Sequence, residues 1–364
     1  MNNSAGNGCN HLTRLGHWTL SAALLMFALA STSAMQAQEE AVRADVSATD
    51  QFAAAYSTSN FRYHVLPANT PAGRSALAEK NWGTSMSTTR PKAVAPIATV
   101  PAPGFYPEDL VNFKGKVLTS AQQHNVYVDM SVCGGTVALC WGNPAGFLAD
   151  LSNSTFIHLT DQYVGVATNN RYPNGTAVSA SFPLTTGVLG ENDLFAIAHA
   201  AVVALGGANG YTNIYHLFLP AGVDTCFDLS GVCYSPDNPA TFSFCAYHGS
   251  VTFSDIGHII FSIEPYQNVP GCQAAPPDPN GILKDSTNSV LSHELIESIT
   301  DPDPPTGWVS DSSLLASGAE IGDLCEALGN TAGQFLDPVV TLNGHKYEIQ
   351  LEYSNTYHAC AAVK

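Results

Sequence analysis

The chain has 364 residues, enough for one large domain or two. Only 12% of its residues are charged, and 30 acidic residues against 13 basic ones give a formal net charge of -17. Nucleic acids and anionic membrane surfaces also carry negative charge, so this composition argues against both as partners.

The first 37 residues have the organisation of a secretory signal. Arg14 supplies positive charge, and the apolar run at residues 20–30 is too short for a stable membrane span. Small residues follow, with cleavage expected near Ala34 or Ala37. A membrane anchor is the alternative interpretation. We therefore expect a secreted, extracellular protein with no membrane contact after cleavage, the periplasm or cell wall being alternative locations.

Residues 38–104 are rich in Ala, Thr, Ser and Pro, and we predict that they form a flexible leader or linker. Residues 52–66 include aromatic side chains, which leaves open that they dock on the body or act as a short pro-segment. The folded body is expected to begin near Phe105, so that residues 105–364 form one domain.

Cysteine usage predicts a disulfide-bonded body. Of the nine cysteines, Cys9 lies in the signal, and an even number in the remainder of an exported chain indicates disulfides. Spacing alone does not reveal the full pairing. No Cys-x-x-Cys occurs, which argues against a zinc-thiolate site. We expect two local disulfides with the same short spacing, Cys133 with Cys140 and Cys226 with Cys233. Cys325 and Cys360 are also expected to be oxidised.

The pattern of apolar residues in the body predicts both strands and helices. Apolar residues at helical spacing predict a helix at residues 191–205, in which His199 is expected to be a packed core histidine rather than a ligand. Strands before a late helix suggest an α+β fold with a mixed sheet packed on a few helices. Alternating or apolar runs predict strands at residues 125–130, 155–159, 213–219, 258–263 and 346–353.

That late helix is predicted by apolar residues that recur on one face. Ser286 or Thr287 is expected to cap its start, and Pro302 to end it at Asp301. The apolar face is formed by Leu291, Leu295, Ile296 and Ile299, with polar residues on the opposite side.

The polar side of this helix carries the pattern His-Glu-x-x-Glu. His293 and Glu297 are one helical turn apart, so their side chains meet. The pattern differs from the His-Glu-x-x-His of zincins by one ligand type. In that scheme His293 and Glu297 hold a metal, and Glu294 acts as general base on a metal-bound water. The alternative is a surface helix with an ordinary polar face.

A third ligand must come from outside the helix. Glu320 and Asp323 are the best candidates, because they lie in an acidic segment that ends at Cys325. Asp301 and Asp303 follow the helix directly, and Asp303 has the spacing of a third metzincin ligand. For each of these acidic residues, capping a turn or loop is the alternative. We expect one divalent metal, with zinc favoured and calcium or manganese left open.

Five segments of the chain share the motifs of one known family. They are residues 115–119 with the strand after them, 244–248, 293–302, 320–326 and 347–360. In this order they resemble the EXORDIUM (phosphate-induced protein) family of secreted proteins. The resemblance covers roughly residues 105–364 and brings His248 into a matched motif, so that it could line the same cleft. Plant members of that family are linked to cell expansion and growth signalling and have no settled enzymatic activity.

We therefore predict a secreted, disulfide-stapled α+β domain, zincin-like in its metal site. His293, Glu297, Glu320 and Asp323 are the predicted ligands and Glu294 the predicted catalytic base of a metal-dependent peptidase. Its partner would be an extracellular peptide, a protein or a cell-wall component. The alternatives are a non-catalytic extracellular or wall-associated binding or signalling protein of the same fold, and a domain stabilised by structural calcium.

Overall fold

The computed structural model describes residues 41–46, 58–79, 109–183, 187–227, 231–311, 319–326 and 334–364. All of the described residues belong to one compact unit, Ala41–Lys364. The predicted signal at residues 1–37, with Cys9, lies outside the described residues.

A seven-stranded mixed sheet forms the centre of the fold. In chain order its strands are β1 (Val42–Asp45), β2 (Thr58–Pro67), β3 (Gln122–Val128), β4 (Val178–Ser181), β5 (Asn213–Phe218), β6 (Phe244–Phe253) and β7 (Gly257–Glu264). Their order across the sheet is β1-β4-β3-β5-β7-β6-β2. The first five strands in this order, β1, β4, β3, β5 and β7, are parallel to one another. Strand β6 is antiparallel to both of its neighbours, β7 and β2. The predicted mixed α+β fold is confirmed at this level.

The described residues also form six α-helices and several short strands outside the sheet. The helices are α1 (Pro71–Glu79), α2 (Val137–Cys140), α3 (Pro144–Ser152), α4 (Asp161–Val164), α5 (Glu191–Ala204) and α6 (Ile282–Thr300). The short strands are Leu110–Asn112, Val188–Leu189, Asp224–Cys226, Cys233–Tyr234, Gln273–Ala274, Trp308–Ser310, Gln334–Phe335, Val339–Leu342, His345–Glu348, Glu352–Ser354 and Ala359–Ala361. Of the helices in the described ranges, none has the length and apolarity that crossing a bilayer would need.

Two apolar cores lie on opposite faces of the sheet. Side chains alternate along a strand, so Val126 and Val128 enter one core and Tyr127, between them, enters the other. Helix α5 packs into the first core through residues such as Leu194, and α6 packs into the second through residues such as Leu295. The sheet is therefore covered on both faces, which explains why β5 is buried along its whole length.

Two of the predicted strands differ in the structure. Residues 155–159 fall largely in a 3-10 helix, Ile157–Thr160, because a short apolar run can bury its side chains in either conformation. Residues 346–353 are divided between His345–Glu348 and Glu352–Ser354. The helix predicted at residues 191–205 is confirmed, and His199 within it is 6% exposed and bonded to Asp255.

Folded structure begins well before Phe105. Strand β1 pairs with β4, and β2 pairs with β6 along most of its length, so the leader prediction is wrong for residues 41–46 and 58–79. Strand β2 alternates like a sheet strand, with Phe61 and Val65 directed to one core. The Ala, Thr and Ser content of the surrounding segment hid this alternation.

The eight cysteines of the described residues form four disulfides. Both predicted local pairs are confirmed, with Cα–Cα distances of 5.4 Å for Cys133–Cys140 and 4.1 Å for Cys226–Cys233. Cys245 pairs with Cys272. Cys325 pairs with Cys360 and so fastens the acidic segment before it to the C-terminal strand pair.

The double substitution Cys325→Ser with Cys360→Ser is expected to lower the free energy of unfolding by roughly 4 kcal/mol, because the bond closes a loop of 35 residues. The matched control is Cys133→Ser with Cys140→Ser, whose loop of 7 residues predicts a loss of only about 2.5 kcal/mol. Guanidinium unfolding at equilibrium measures both. A smaller loss for the longer loop would contradict the prediction.

Candidate metal centre

Helix α6 carries the predicted site and is buried all around. Asp285 through Thr300 are all buried, so the surface-helix interpretation is wrong. The helix begins at Ile282, after Gly281, which places Ser286 and Thr287 inside it rather than at its start. Its end is as predicted, because the Asp301 N–H donates to the carbonyl oxygen of Glu297 at 2.7 Å and closes the last turn.

Two histidines reach α6 from the sheet. His64 on β2 and His248 on β6 are direct partners in the antiparallel register, so their side chains share one face of the sheet. Their ring centroids are 5.9 Å apart, and the two residues are 4% and 0% exposed. The resemblance had made His248 a residue that could line the same cleft. His64 was missed, because it lies in the segment predicted to be a leader.

The acidic segment forms the third side of the cluster. Glu320 and Asp323 are 0% and 1% exposed, and the Glu320 N–H donates to Asp323 Oδ2 at 2.7 Å. His64 contacts both, with its Nε2 2.7 Å from Asp323 Oδ2 and its Nδ1 3.2 Å from Glu320 Oε1. Glu320 Oε2 lies 3.6 Å from His248 Nε2. The segment therefore connects the two histidines.

Glu297 lies at the centre of the cluster and is held in one orientation. Its Oε1 accepts the backbone N–H groups of Gly322 and Asp323 at 3.2 and 3.3 Å. Its Oε2 lies 3.2 Å from His293 Nε2 and 3.6 Å from His248 Nδ1. One oxygen is thus fixed by the backbone, and the other faces two imidazoles.

Both of these imidazoles are oriented through their second nitrogen. His293 Nδ1–H donates to Gln350 Oε1 at 3.2 Å, and the Gln350 amide nitrogen in turn donates to the Gly322 carbonyl oxygen. His248 Nε2–H donates to the Asp301 carbonyl oxygen at 3.1 Å. The other nitrogen of each ring, His293 Nε2 and His248 Nδ1, therefore faces Glu297 Oε2. This is how histidines that bind metals are usually held.

Burial and close contact between carboxyl groups shift the pKa values of the residues in the cluster. Burial raises the pKa of Glu294 and of Glu320 well above their usual values, and raises that of Asp301 to about 6. Burial lowers the pKa of His248, so that this ring is neutral. Burial opposes charging of His293, but the Glu297 carboxylate raises the pKa of its imidazole well above the usual value.

Further acidic residues surround the cluster. Burial raises the pKa of Glu326 and Glu352 well above the usual range, and both oxygens of each lack a hydrogen-bond partner. Burial raises the pKa of Asp337 to about 6, and this carboxyl accepts a hydrogen bond from Ser289 Oγ. The interior around α6 is therefore rich in carboxylates and poor in positive charge.

The donor set fits a bound cation. Native proteins rarely leave buried polar atoms without partners, and each such atom costs about 1–3 kcal/mol. A divalent cation would satisfy several of these atoms at once, because carboxylate oxygens and imidazole nitrogens are its usual ligands. The buried atoms of the cluster without a hydrogen-bond partner are His293 Nε2, Glu294 Oε1, Glu297 Oε2, both carboxylate oxygens of Glu320, and Asp323 Oδ1.

Among the residues that the structure describes, two groups of three side chains are close enough to share an ion. His64, Glu297 and Asp323 form one group, and His248, Glu297 and Glu320 form the other, with the ligand atoms of each group within 4.8 Å of one another. The structure thus brings together three of the four predicted ligands, Glu297, Glu320 and Asp323. Their role as ligands stays a prediction.

The remaining predicted site residues lie beside these groups. His293 contacts Glu297 but belongs to neither group. Glu294, the predicted base, lies with its Oε2 3.3 Å from His248 Nδ1. The cluster therefore places Glu294 next to a histidine of the site.

The two aspartates after the helix have other partners. Asp301 Oδ1 accepts the Thr306 and Gly307 N–H groups at 3.2 and 2.7 Å, which is the turn-capping alternative. Asp303 accepts hydrogen bonds from Tyr211 and Ser250, both at 2.6 Å, and lies in neither group of candidate ligands. The metzincin spacing of Asp303 therefore does not lead to a third ligand here.

No protein-family model, no curated protein and no solved structure matches this chain. The resemblance to the EXORDIUM family and the comparison with zincins therefore stay predictions from motifs.

Proposed function

We propose that the protein binds divalent metal through the cluster around Glu297. The observation that carries the proposal is Glu297 Oε2, a fully buried carboxylate oxygen that has no hydrogen-bond partner but faces two imidazoles. A cation between these groups would give the Glu297 oxygen and the two ring nitrogens a common partner. It would join β2, β6, α6 and the segment around Asp323, which come from distant parts of the chain.

The ligand types favour zinc. Imidazole nitrogens suit zinc and related transition metals, whereas calcium usually takes six to eight oxygen ligands. Each group of candidate ligands contains one histidine and two carboxylates, a mixture that zinc and manganese accept. We propose zinc, with manganese as the nearest competitor, and the histidines argue against calcium.

Burial favours a stabilising role for the metal. Every candidate ligand is at most 4% exposed, whereas a catalytic zinc site keeps one position open to water and substrate. We therefore propose a secreted, EXORDIUM-like protein whose domain is held together by metal and four disulfides. Disulfides are typical of oxidising compartments, which supports the proposed secretion. Its extracellular partner would be a peptide, a protein or a cell-wall component.

Metal-dependent hydrolysis is the second candidate function, and Glu294 is the observation that favours it. Its Oε1 has no hydrogen-bond partner, and burial raises the pKa of its carboxyl above the usual value, as is common for catalytic glutamates. A bound metal would supply an acidic water for such a reaction. Glu294 would take the proton from that water at Oε1.

Metal analysis tests both candidates. Protein purified without chelator is expected to contain zinc, and Glu297→Gln is expected to lose it because both groups of ligands include Glu297. Glu294→Gln is expected to keep the metal, and hydrolysis of peptide substrates, if wild-type protein shows it, should fall by about 10²–10⁴-fold. Plasma mass spectrometry and a peptidase assay give the two readouts.

His345→Ala is the control, because this histidine is exposed and paired only with Asp150 at the surface. It should keep both metal content and any hydrolysis. Wild-type protein that takes up neither zinc, manganese nor calcium would overturn the proposal. Protein that binds zinc but hydrolyses nothing would leave the stabilising role as its function.

A further inference from the structure

Glu297 belongs to both groups of candidate ligands, and this sharing suggests a second ion. We propose that the cluster binds two divalent cations with the Glu297 carboxylate between them. His64 and Asp323 would complete one position, and His248 and Glu320 the other. This inference rests on the proposed metal-binding function and specifies how many ions that function involves.

The distances allow two adjacent ions. Ligands bonded to one zinc at about 2.1 Å lie at most about 4.2 Å from each other. His64 Nε2 is 2.7 Å from Asp323 Oδ2, in a hydrogen bond that an ion would replace, and His248 Nδ1 is 3.6 Å from Glu297 Oε2, so both pairs lie within this limit. The two rings, with centroids 5.9 Å apart, stand side by side, as ligands of two metals about 3.5–4 Å apart would.

The balance of charge also favours two ions. Glu294, Glu297, Glu320 and Asp323 are four buried carboxyl groups in contact with the histidines of the cluster. Two divalent ions supply four positive charges, whereas one ion supplies two.

The buried atoms without hydrogen-bond partners also favour two ions. Asp323, whose Oδ1 has no hydrogen-bond partner, belongs to the His64 group, and Glu320, neither of whose oxygens has a partner, belongs to the His248 group. A single ion at either position would leave the carboxylate at the other without a cation. The two groups share only Glu297, which argues that they are adjacent positions rather than two descriptions of one.

Metal stoichiometry of the full chain tests this inference. Metal-free protein, prepared with a chelator and dialysed, is titrated with Zn²⁺ in a calorimeter, and bound zinc is measured by plasma mass spectrometry. Wild-type protein is expected to bind two zinc ions. His64→Ala and His248→Ala are each expected to bind one, and His345→Ala, with its exposed side chain, is expected to bind two.

The outcomes separate the inference from the proposed function. One ion in wild-type protein overturns the two-ion arrangement but leaves metal binding standing, and no ion overturns both. Two ions in wild-type protein with two still bound in either cluster variant would show that the positions are assigned wrongly. If the variants fail to fold, the electron paramagnetic resonance spectrum of Mn²⁺-loaded wild-type protein decides, because two bridged ions are magnetically coupled and isolated ions are not.

Discussion

Removing the metal with a chelator is expected to lower the unfolding temperature of the protein by roughly 10 °C. Metal at a thousandfold excess over its dissociation constant stabilises the folded state by about 4 kcal/mol, and for a chain of this size 1 kcal/mol corresponds to a few degrees. The reason is local: without a cation, the carboxylates around Glu297 Oε2 are buried and uncompensated. Thermal unfolding followed by circular dichroism, with and without EDTA, measures the shift.

Two controls make this result specific. Adding zinc back should restore the unfolding temperature, and Glu297→Gln should unfold at the same temperature whether or not EDTA is present, because it has no metal to lose. Wild-type protein that unfolds at one temperature under both conditions would contradict the prediction. It would show that the cluster is stable without a cation.

Most of the features that could be predicted from the sequence depend on residues that are close together along the chain. The end of α6 at Asp301 follows from Pro302 and the local geometry of the backbone. The pairing of Cys133 with Cys140 follows from a short spacing. Glu297 was predicted because it lies one helical turn from His293, and Glu320 and Asp323 were predicted because they lie in an acidic segment that ends at Cys325.

What was missed depends on contacts between distant parts of the chain. His64 joins the cluster only because β2 pairs with β6, and its partner His248 is far away in the sequence. Gln350 was assigned to a strand, yet its side chain orients His293 and bonds the Gly322 carbonyl oxygen. Neither role leaves a local signal, since a single polar residue in a strand has many ordinary explanations.

The burial of α6 is the clearest case of tertiary structure overriding a pattern. Its apolar face, which includes Leu295, packs on the sheet as the spacing indicated. Its polar face is covered as well, by β6 through His248 and by the chain around Gly322 and Gln350. A polar helix face usually indicates solvent, and here it indicates a buried polar cluster.

The close approach of Gly322 to α6 depends on the absence of a side chain. A Cβ at this position would lie 2.4 Å from His293 Nδ1 and 2.9 Å from Glu297 Oε1, closer than real contacts allow. The backbone itself is ordinary, with φ -75° and ψ -46°, so alanine would fit the local conformation. Any effect of adding a methyl group must therefore come from its collision with the two α6 side chains.

Gly322→Ala is expected to weaken metal binding by about 10–100-fold, as the loss of groups that orient metal ligands typically does. It should also lower the free energy of unfolding by about 1–3 kcal/mol, because the added methyl group overpacks a buried site. Calorimetric titration with Zn²⁺ and equilibrium unfolding in urea measure the two effects on the same preparation.

Gly206→Ala is the matched control, since Gly206 follows α5 and has φ +80° with no atom within 4 Å of an added Cβ. Its left-handed backbone predicts a loss of about 1–2 kcal/mol in stability, but its metal affinity should equal that of wild-type protein. The pair thus separates backbone strain from damage to the site. Gly322→Ala protein that binds zinc with wild-type affinity would contradict the prediction, because His293 and Glu297 could then move by the required distance without losing the ion.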